Sequence, residues 1–317
     1  MCTAISYQTK SHYFGRNLDL ERGYGECVVI TPRRYPLPLR HLPRLTEHYA
    51  MIGTAAVADN YPLYFEATNE KGLSIAGLNF PNNAFYERAS EEYDSIASFE
   101  LIPYLLGKYA CANEVRLALQ NMRVVGTNFS EDLPTSPLHW LISDKTASLT
   151  LECTRNGMKI YNNPFGVLTN NPTFDYHLTN VSNYMHLHPG AAPNHLGDRL
   201  PVSNYSLGMG ALGLPGDFSS ASRMIRAIFV KENSLCDGSE EESVNQFFHI
   251  LSSVAMPRGC VLAHNGQFEY TRYSSCCNTA SGVYYYTTYE NSSIHQVHLY
   301  SVDLSTSSLY TYSIHNS

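Results

Sequence analysis

The chain opens with Met1-Cys2-Thr3-Ala4-Ile5-Ser6-Tyr7, the stretch from which the fold can be inferred. Its residues alternate with a period of two, which predicts a β-strand beginning at Cys2. If Met1 is removed, Cys2 carries a thiol and a free α-amine, whose ordinary pKa of about 7.7–8.0 suits a base. Activation of a nucleophile by its own N-terminal amine is a known device. Cys2 is therefore a candidate nucleophile, and the alternative is that it is an ordinary second residue.

The composition is that of an ordinary globular protein. The 317 residues are 44% hydrophobic and 15% charged, without a linker or internal repeat, so we expect a single domain over residues 1–317. The net charge of −7 provides no basic field for nucleic acid or an anionic membrane. No apolar run approaches the roughly 18–20 residues of a membrane span, and no secretory signal is evident. We therefore expect a cytoplasmic protein with neither nucleic-acid nor membrane partners.

The cysteines and histidines do not indicate a disulfide framework or a metal site. The eight cysteines are scattered along a long chain, so most are expected to be buried, reduced thiols. His186, His188 and His195 lie in the irregular stretch Asn183–Leu207, where no Glu or Cys accompanies them at metal-ligand spacing. We predict no metal or cofactor, and this stretch is a candidate functional or assembly loop.

Strands dominate the chain outside two helical blocks. Further strands are predicted at Cys27–Thr31, Met51–Ala58, Leu73–Leu78, Trp140–Ser143, Ser148–Glu152, Gly166–Thr169, Val283–Tyr289 and Ser293–Leu304. Asn156-Gly157 and Asn265-Gly266 each separate two strand-like runs, which predicts two tight hairpins. The first strand is expected to pair with a strand that returns beside it through Phe14-Gly15.

Two blocks interrupt the strands with helical periodicity. The first covers Ser98–Met122, with Asn113 as the expected cap of its second half. The second contains one helix that begins near Ser220 and another that begins at Ser239, where Glu242 completes a capping box. The order of strands and helix pairs predicts an α+β fold with two antiparallel sheets covered on the outside by helices.

Five polar residues lie at positions where a purely structural role is less expected. Arg16 and Asp19 end the returning strand, while Asn79 and Asn170 each end an apolar strand. Arg223 lies in the first turn of a helix, where the helix dipole disfavours a cation, so an anionic partner is expected nearby. Each of these residues alone has an ordinary explanation, because strand-end Asn residues make turns and Arg residues are usually solvated. Their occurrence together with Cys2 favours a catalytic site.

These motifs together resemble the choloylglycine hydrolases, a family of conjugated bile acid hydrolases and penicillin V acylases within the N-terminal nucleophile hydrolases. The resemblance is carried by Met1-Cys2-Thr3-Ala4, Phe14-Gly15-Arg16-Asn17-Leu18-Asp19, Gly77-Leu78-Asn79-Phe80-Pro81, Val167-Leu168-Thr169-Asn170-Asn171-Pro172 and Gly213-Leu214-Pro215-Gly216-Asp217. It implies a four-layer αββα sandwich, exposure of Cys2 by autocatalysis or a peptidase, and amide hydrolysis without a metal or cofactor.

The resemblance also implies roles for the residues near the nucleophile. Cys2 would be the nucleophile and, through its α-amine, the base. Asp19 would hold that amine or the thiol, and Arg16 would lie beside the thiolate and lower the pKa of the thiol. Arg16 and Asp19 are three residues apart, so a straight strand would direct them to opposite faces. Both reach Cys2 only if the strand bends or bulges between them.

An oxyanion hole is the second element that the resemblance implies. It would consist of the backbone N–H of Asn79 and the side chain of Asn170, with Arg223 as a supporting positive charge. Removal of one such donor typically costs about 2.7–4 kcal/mol of transition-state stabilisation. If the mechanism were instead a Cys–His pair, His12 and His139 would be the first histidines to test.

The resemblance further implies the substrate class and the assembly. Asn at position 79 is similar to the bile salt hydrolases, whereas penicillin V acylases tend to carry Tyr there, so the expected partner is a conjugated bile acid. A steroid needs a wide apolar pocket, for which the candidate lining residues are Leu20, Tyr24, Phe65, Phe129 and Leu133. These five residues can equally be ordinary anchors of loops to the core. The family also suggests a homotetramer, and the alternative functions are a penicillin V acylase and a catalytically inactive binding protein of this fold.

Overall fold

The structure is a computed structural model that describes residues 1–314. Its strands are β1 Cys2–Gln8, β2 His12–Leu20, β3 Cys27–Thr31, β4 Met51–Ala58, β5 Tyr61–Asn69, β6 Ser74–Asn79, β7 Asp94–Ala97, β8 Met122–Val125, β9 Leu138–Ser143, β10 Ser148–Thr154, β11 Gly157–Asn162, β12 Val167–Leu168, β13 Val261–Leu262, β14 Phe268–Asn278, β15 Val283–Thr288, β16 His295–His298 and β17 Tyr310–Ser313. Its α-helices are α1 Leu101–Lys108, α2 Ala112–Ala118, α3 Phe174–Asn180, α4 Ser220–Glu232 and α5 Glu240–Ser252.

The strands form two large antiparallel sheets that face each other. The first sheet has the order β12-β1-β2-β14-β15-β16, with β13 paired to β14, and the second has the order β11-β10-β9-β6-β5-β4-β3-β17. Strands β1 and β2 contact β5 and β6 across the interface. Helices α4 and α5 pack on the outer face of the first sheet, and α1 packs on the outer face of the second. The predicted four-layer αββα sandwich is confirmed.

Strand β1 lies between β12 and β2 in the first sheet and is covered on both faces. Every residue from Cys2 to Tyr7 is buried, because α4 covers one face and the second sheet covers the other. Strands β3 and β4 coincide with the predicted Cys27–Thr31 and Met51–Ala58. Both have buried β-branched or small apolar residues on each face, as expected for strands between two layers.

Both predicted hairpins are present. Thr154 pairs with Gly157, whose φ of +92° is the left-handed conformation that glycine adopts without strain. The second hairpin joins β13 to β14 through Asn265-Gly266, and Leu262 pairs with Phe268 across it. Local sequence therefore determines these two turns.

The first helical block differs from the prediction. It consists of the two short helices α1 and α2, and Asn113 lies inside α2 rather than capping it. The backbone N–H of Ala112, at the start of α2, donates to Oδ2 of Asp144 at 2.6 Å. A residue distant in sequence therefore provides the cap. Met122 begins β8, which pairs in parallel with β7, instead of continuing the helical face.

Strand β5 was not predicted, although it lies between β4 and β6 in the second sheet. It contains Pro62 and the buried charged residue Glu66, two residue types that are depleted in strands. The pairing of β5 with both neighbours outweighs these local preferences.

Candidate active site

Cys2 lies in the first position of β1, where it pairs with Leu18 of β2 and is almost fully buried. Met1 extends the β1–β2 ladder by one further pair. Its terminal ammonium group donates to the carbonyl of Asp19 at 2.8 Å, and Asp19 N donates to Met1 O at 3.1 Å. The ammonium group of Met1 also lies 2.7 Å from Oε2 of Glu269. The N-terminus is therefore held as part of the first sheet.

Arg223 holds the main chain around Cys2 from the side of α4. Its Nη1 donates to Cys2 O at 2.5 Å and to Thr3 Oγ1 at 2.6 Å, and its Nη2 donates to Asn170 Oδ1 at 2.7 Å. Burial lowers the pKa of Arg223, while the nearby Asp19 carboxylate acts in the opposite direction. The direct partners of this arginine are thus neutral oxygens, and Asp19 acts on it through the longer-range field.

Asn79 and Asn170 meet beside Cys2. Asn170 Oδ1 accepts from Cys2 N at 2.8 Å, and Asn170 Nδ2 donates to Asn79 O at 2.7 Å. Phe80 N donates to Pro137 O at 2.8 Å, so the alternation of an antiparallel ladder directs both the N–H and the C=O of Asn79 away from β9. The N–H of Asn79 therefore points to the same side of β6 as the Asn170 amide.

Arg16 crosses from the first sheet to the second. Its Nη1 donates to Gly77 O at 2.6 Å and to Phe65 O at 3.0 Å, while Nη2 has no hydrogen-bond partner among residues 1–314. Burial acts to lower the pKa of Arg16, but electrostatic interactions with Cys2, Tyr273, Glu66 and Asp19 together raise it. Arg16 is therefore a fully buried, charged guanidinium with one free donor group.

Glu66 lies beside Arg16, and the sequence analysis did not identify it as a site residue. Its carboxylate lies 3.9 Å from Arg16 Nε and accepts from the hydroxyls of Tyr273 at 2.7 Å, Ser275 at 3.0 Å and Tyr284 at 2.5 Å. Burial raises the pKa of Glu66, and Arg16 opposes that shift. These contacts join the two sheets behind Arg16, and no local pattern in the sequence predicts them.

Asp19 is buried at the end of β2 beside Met1. Its Oδ1 accepts from Thr271 Oγ1 at 2.6 Å, and its Oδ2 has no hydrogen-bond partner within residues 1–314. Burial raises the pKa of Asp19, whereas Arg223 opposes the shift. The expected bulge between Arg16 and Asp19 is absent from β2: the register shift lies opposite, in β14 between Thr271 and Tyr273.

The candidate pocket residues fall into two groups. Leu20 and Phe65 are half-buried and pack against the core that contains Cys2, and the rings of Tyr24 and Phe65 lie 6.4 Å apart. Tyr24 is 43% exposed, so this group has a solvent-facing edge. These three residues therefore form an apolar surface on the same side of the sandwich as the nucleophile.

Phe129 and Leu133 belong to the second group. The ring of Phe129 packs at 5.3 Å from Phe99 and 5.9 Å from Tyr61, in the core between the second sheet and α1. Phe129 N donates to Leu133 O at 3.2 Å, which closes the loop that holds both residues. Phe129 thus makes its packing contacts with Phe99 and Tyr61, and Leu133 is half-buried beside it.

The two histidines considered for a Cys–His pair are engaged elsewhere. His12 lies near the turn of the β1–β2 hairpin, at the end opposite Cys2, and its Nε2 bonds to Ser6 Oγ at 2.9 Å. Burial lowers the pKa of His12 to about 4. His139 Nε2 bonds to Thr169 O at 2.9 Å, next to the Asn170 that contacts Cys2. Neither ring is hydrogen-bonded to Cys2 in the part of the chain that the structure describes.

The irregular stretch 183–207 exposes apolar side chains to solvent. Its most exposed large apolar residues are Met185, Leu196, Leu200, Val202, Tyr205 and Leu207. His188 within it accepts from Gly190 N at 3.1 Å, and residues 1–314 contain no group of three or more His, Cys, Asp or Glu residues placed to hold a metal ion. Across the same residues, no helix has the length and apolarity to cross a bilayer.

Sequence comparisons match almost the whole chain to known proteins. Residues 2–312 match the sequence model of the linear amide C–N hydrolases of the choloylglycine hydrolase family. The chain is 51% identical over 312 residues to a bile salt hydrolase/transferase of Lactiplantibacillus plantarum, which covers 98% of this chain and 96% of that protein. It is 40% identical over 289 residues to a conjugated bile acid hydrolase of Lactobacillus gasseri, which covers 90% and 92% of the two chains.

Solved structures give the same result. A mutant of the conjugated bile acid hydrolase from Clostridium perfringens superimposes with a TM-score of 0.91 at 36% identity, covering 98% of this chain and 96% of that one. Penicillin V acylase from Agrobacterium tumefaciens shares the fold, with a TM-score of 0.78 at 18% identity over 98% of this chain and 90% of that chain. This chain belongs to the choloylglycine hydrolase family of linear amide C–N hydrolases.

Proposed function

We propose that this protein hydrolyses the amide bond of glycine- or taurine-conjugated bile acids, with Cys2 as the nucleophile once Met1 has been removed. The observation that carries the proposal is the cluster of Cys2, Arg16, Asp19, Asn170 and Arg223, which are all buried and lie together at one end of β1. Buried charges are costly unless they are paired, so such a cluster indicates function rather than stability. The substrate class is supported by the names of the relatives that cover nearly the whole chain.

The thiol of Cys2 attacks the substrate carbonyl as a thiolate. Arg16 supports this form because its Nη2 is free and its charge lies close to Cys2, and a nearby cation stabilises a thiolate. The α-amine of Cys2 takes the thiol proton and later delivers it to the leaving nitrogen. The unpartnered Oδ2 of Asp19 is available to the freed amine, which replaces the Met1 peptide bond beside it.

The tetrahedral oxyanion is stabilised by Asn79 and Asn170. The N–H of Asn79 points to the same side of β6 as the Asn170 amide, whose nitrogen has two donors, of which one is used by Asn79 O. Arg223 keeps Asn170 in place through Oδ1 and adds a positive charge to the site. Loss of one of these donors is expected to cost about 2.7–4 kcal/mol of transition-state stabilisation. Water then hydrolyses the thioester, releasing the free bile acid.

Removal of Met1 is necessary because a peptide nitrogen cannot accept a proton near neutral pH. The intact mass of active enzyme should correspond to a chain that begins at Cys2. A variant that retains Met1 should fold but have almost no activity. Thr3→Pro is unsuitable for making that variant, because Thr3 Oγ1 is a partner of Arg223 and Thr3 pairs with Asn17 in the sheet. Full activity in a preparation in which every chain retains Met1 would contradict the mechanism.

The steroid is proposed to bind on the apolar surface of Leu20, Tyr24 and Phe65. Phe129 packs against Phe99 and Tyr61 instead, so Phe129 and Leu133 are not assigned to this surface. We also propose a single domain over residues 1–317, a homotetramer, and a cytoplasmic location. The tetramer is supported by the exposed apolar side chains of residues 183–207, and the location by eight free cysteines, one of which must stay reduced to act. Light scattering and cell fractionation test these two points.

The decisive experiment compares the turnover of glycocholate and penicillin V by the purified enzyme. A kcat/KM for glycocholate at least tenfold above that for penicillin V is expected. Preference for penicillin V would instead make the protein an acylase of that class. Absence of turnover of both, in a chain that begins at Cys2, would favour an inactive binding protein.

A further inference from the structure

The ammonium group of Met1 is held in a site formed by two hydrogen-bond acceptors. Glu269 Oε2 lies 2.7 Å from this nitrogen and the carbonyl of Asp19 lies 2.8 Å from it. Both are acceptors, so the site selects a nitrogen that donates several hydrogen bonds and carries positive charge. We propose that, after Met1 leaves, this site receives the amino group released from the substrate, so that Glu269 is a determinant of the leaving-amine step. The inference rests on the proposed function, because it deepens the same reaction.

The position of the site relative to Cys2 supports this assignment. Met1 continues strand β1, and one residue of extended chain spans about 3.3–3.6 Å. A nitrogen in the Met1 ammonium position therefore lies close to the nitrogen of Cys2, which must pass a proton to the leaving amine over a hydrogen-bond distance of about 2.6–3.2 Å. The leaving nitrogen of a bound amide and the Met1 ammonium position are therefore both neighbours of the Cys2 nitrogen.

The hydrogen bonds of Met1 direct it away from the residues proposed to bind the acyl carbonyl. Met1 O accepts from Asp19 N at 3.1 Å, so this carbonyl is directed to β2 and not to Asn79 and Asn170. Excision of Met1 releases both backbone groups of Asp19 together with the Glu269 carboxylate. One donor and two acceptors then line the space beside the α-amine of Cys2.

The chemistry balances without a further reactant. The S–C bond forms first, giving the tetrahedral intermediate, and the leaving nitrogen then takes the proton held by the α-amine of Cys2 and becomes positively charged. Glu269 and the carbonyl of Asp19 stabilise that charge. The C–N bond then breaks with its electron pair going to nitrogen, and departure of the neutral amine clears the space for the water that hydrolyses the thioester.

A pair of substrates with one acyl group tests the assignment. Glycocholate releases an amine, whereas the p-nitrophenyl ester of cholate forms the same thioester and releases a phenol. Glu269→Gln is expected to lower kcat/KM at least tenfold for the amide and to leave the ester within about twofold. Glu290→Gln is the matched control, because it removes a carboxylate that pairs with Arg258 on the surface, and it should change neither rate.

Equal losses on both substrates, or no loss on the amide, would overturn the inference while leaving the proposed function intact. If the wild type cleaves neither substrate, the proposed function is what fails. The site is then tested without turnover, by calorimetric titration of glycinamide, a cationic amine, into the Cys2→Ser chain beginning at residue 2. At least tenfold weaker binding after Glu269→Gln is expected, and equal binding would overturn the assignment.

Discussion

The neighbourhood of Cys2 and the stretch 183–207 depart from the usual arrangement of a globular protein in opposite directions. Around Cys2, the charged residues Arg16, Asp19 and Arg223 are completely buried. In the stretch 183–207, large apolar side chains are exposed, and Leu207 at its end is 99% exposed. A buried charge and an exposed apolar side chain are both costly, so each region indicates a partner that completes it.

The two regions differ in what that partner must supply. In the buried cluster, Arg16 Nη2 and Asp19 Oδ2 lack hydrogen-bond partners among the described residues, so the missing groups are polar and small. The exposed stretch needs apolar area, which a second copy of the chain can provide. We therefore expect the buried cluster to act in the proposed chemistry and the exposed stretch in the proposed assembly, and each should be alterable without affecting the other.

Cys2→Ser should have the largest effect on the buried cluster. The substitution replaces sulphur by oxygen with little change in volume, so folding should be retained. We expect kcat to fall by about a thousandfold or more, because a hydroxyl is a far weaker nucleophile than a thiol near neutral pH. Cys153→Ala, at a second buried cysteine, should lower the unfolding midpoint but not kcat. Wild-type turnover by Cys2→Ser would remove Cys2 from the mechanism.

Arg223→Lys separates charge from hydrogen bonding within the same cluster. Lysine keeps the positive charge but cannot reproduce the planar fork that reaches Cys2 O, Thr3 Oγ1 and Asn170 Oδ1. We expect kcat/KM to fall by about 10- to 100-fold, with a loss of about 1–3 kcal/mol of unfolding free energy for each buried acceptor left unpaired.

The control for that variant is Arg226→Lys, in the same helix. Arg226 also donates to main-chain carbonyls, those of Ser253 at 2.7 Å and Pro215 at 2.8 Å, but it makes no contact with Cys2 or Asn170 among the described residues. It should lose stability with little change in kcat. Equal losses of kcat in both variants would show that the role of Arg223 is structural.

His12 tests whether a buried polar group away from Cys2 affects stability alone. Because burial lowers its pKa from 6.5 to about 4, the unfolded chain binds more protons than the folded chain between those values. The free energy of unfolding should therefore fall as the pH drops through this window, by about 3 kcal/mol at most. Asp144, the charged group that acts on His12, moderates the shift.

Denaturant titrations across this pH range measure the effect. His12→Gln should be less stable near pH 7 but should have a flatter dependence on pH than the wild type, with kcat little changed. His41→Gln, at an exposed histidine, is the control and should keep the wild-type slope. An unchanged slope in His12→Gln would assign the acid sensitivity to other groups.

Leu207→Asp should have the smallest effect on catalysis and acts only on the exposed stretch. Leu207 has almost no contacts to lose within the chain, so the unfolding free energy should change by less than about 0.5 kcal/mol. We expect the proposed tetramer to dissociate at micromolar concentration in light scattering, with kcat within about twofold of the wild type. Leu235→Asp, also highly exposed but outside the stretch, should remain tetrameric. A monomeric wild type would refute the assembly.

Secondary structure was predictable where a local pattern decided it. The two Asn-Gly hairpins and strands β1, β3 and β4 agree with their patterns, since turn chemistry and β-branched runs act within a few residues. Strand β5 was missed because Pro62 and Glu66 disfavour a strand locally, while pairing on both edges imposes one. The cap of α2 was misplaced because Asp144, far away in sequence, provides it.

Some residues of the candidate site could likewise be named from the sequence, and others could not. Cys2, Arg16, Asp19, Asn79, Asn170 and Arg223 can be named from motifs in the sequence, and the structure brings them to one end of β1. Glu66 and Glu269 cannot be named in this way, because their contacts depend on tertiary structure: Glu66 meets Arg16 across the two sheets, and Glu269 meets Met1 within the first sheet. The place of the bulge, in β14 rather than β2, likewise follows from register between strands.

By itself, the sequence determined which residue types are available for the chemistry, where the chain turns, and the layered α+β fold. The tertiary structure alone decided which atoms face each other. Ladder register sets Cys2 opposite Leu18 and Met1 opposite Asp19, and it directs the N–H of Asn79 away from β9, to the side on which Asn170 lies. The reason is physical: the alternation along one strand is a local property, whereas register and burial depend on all the strands and helices packed around it.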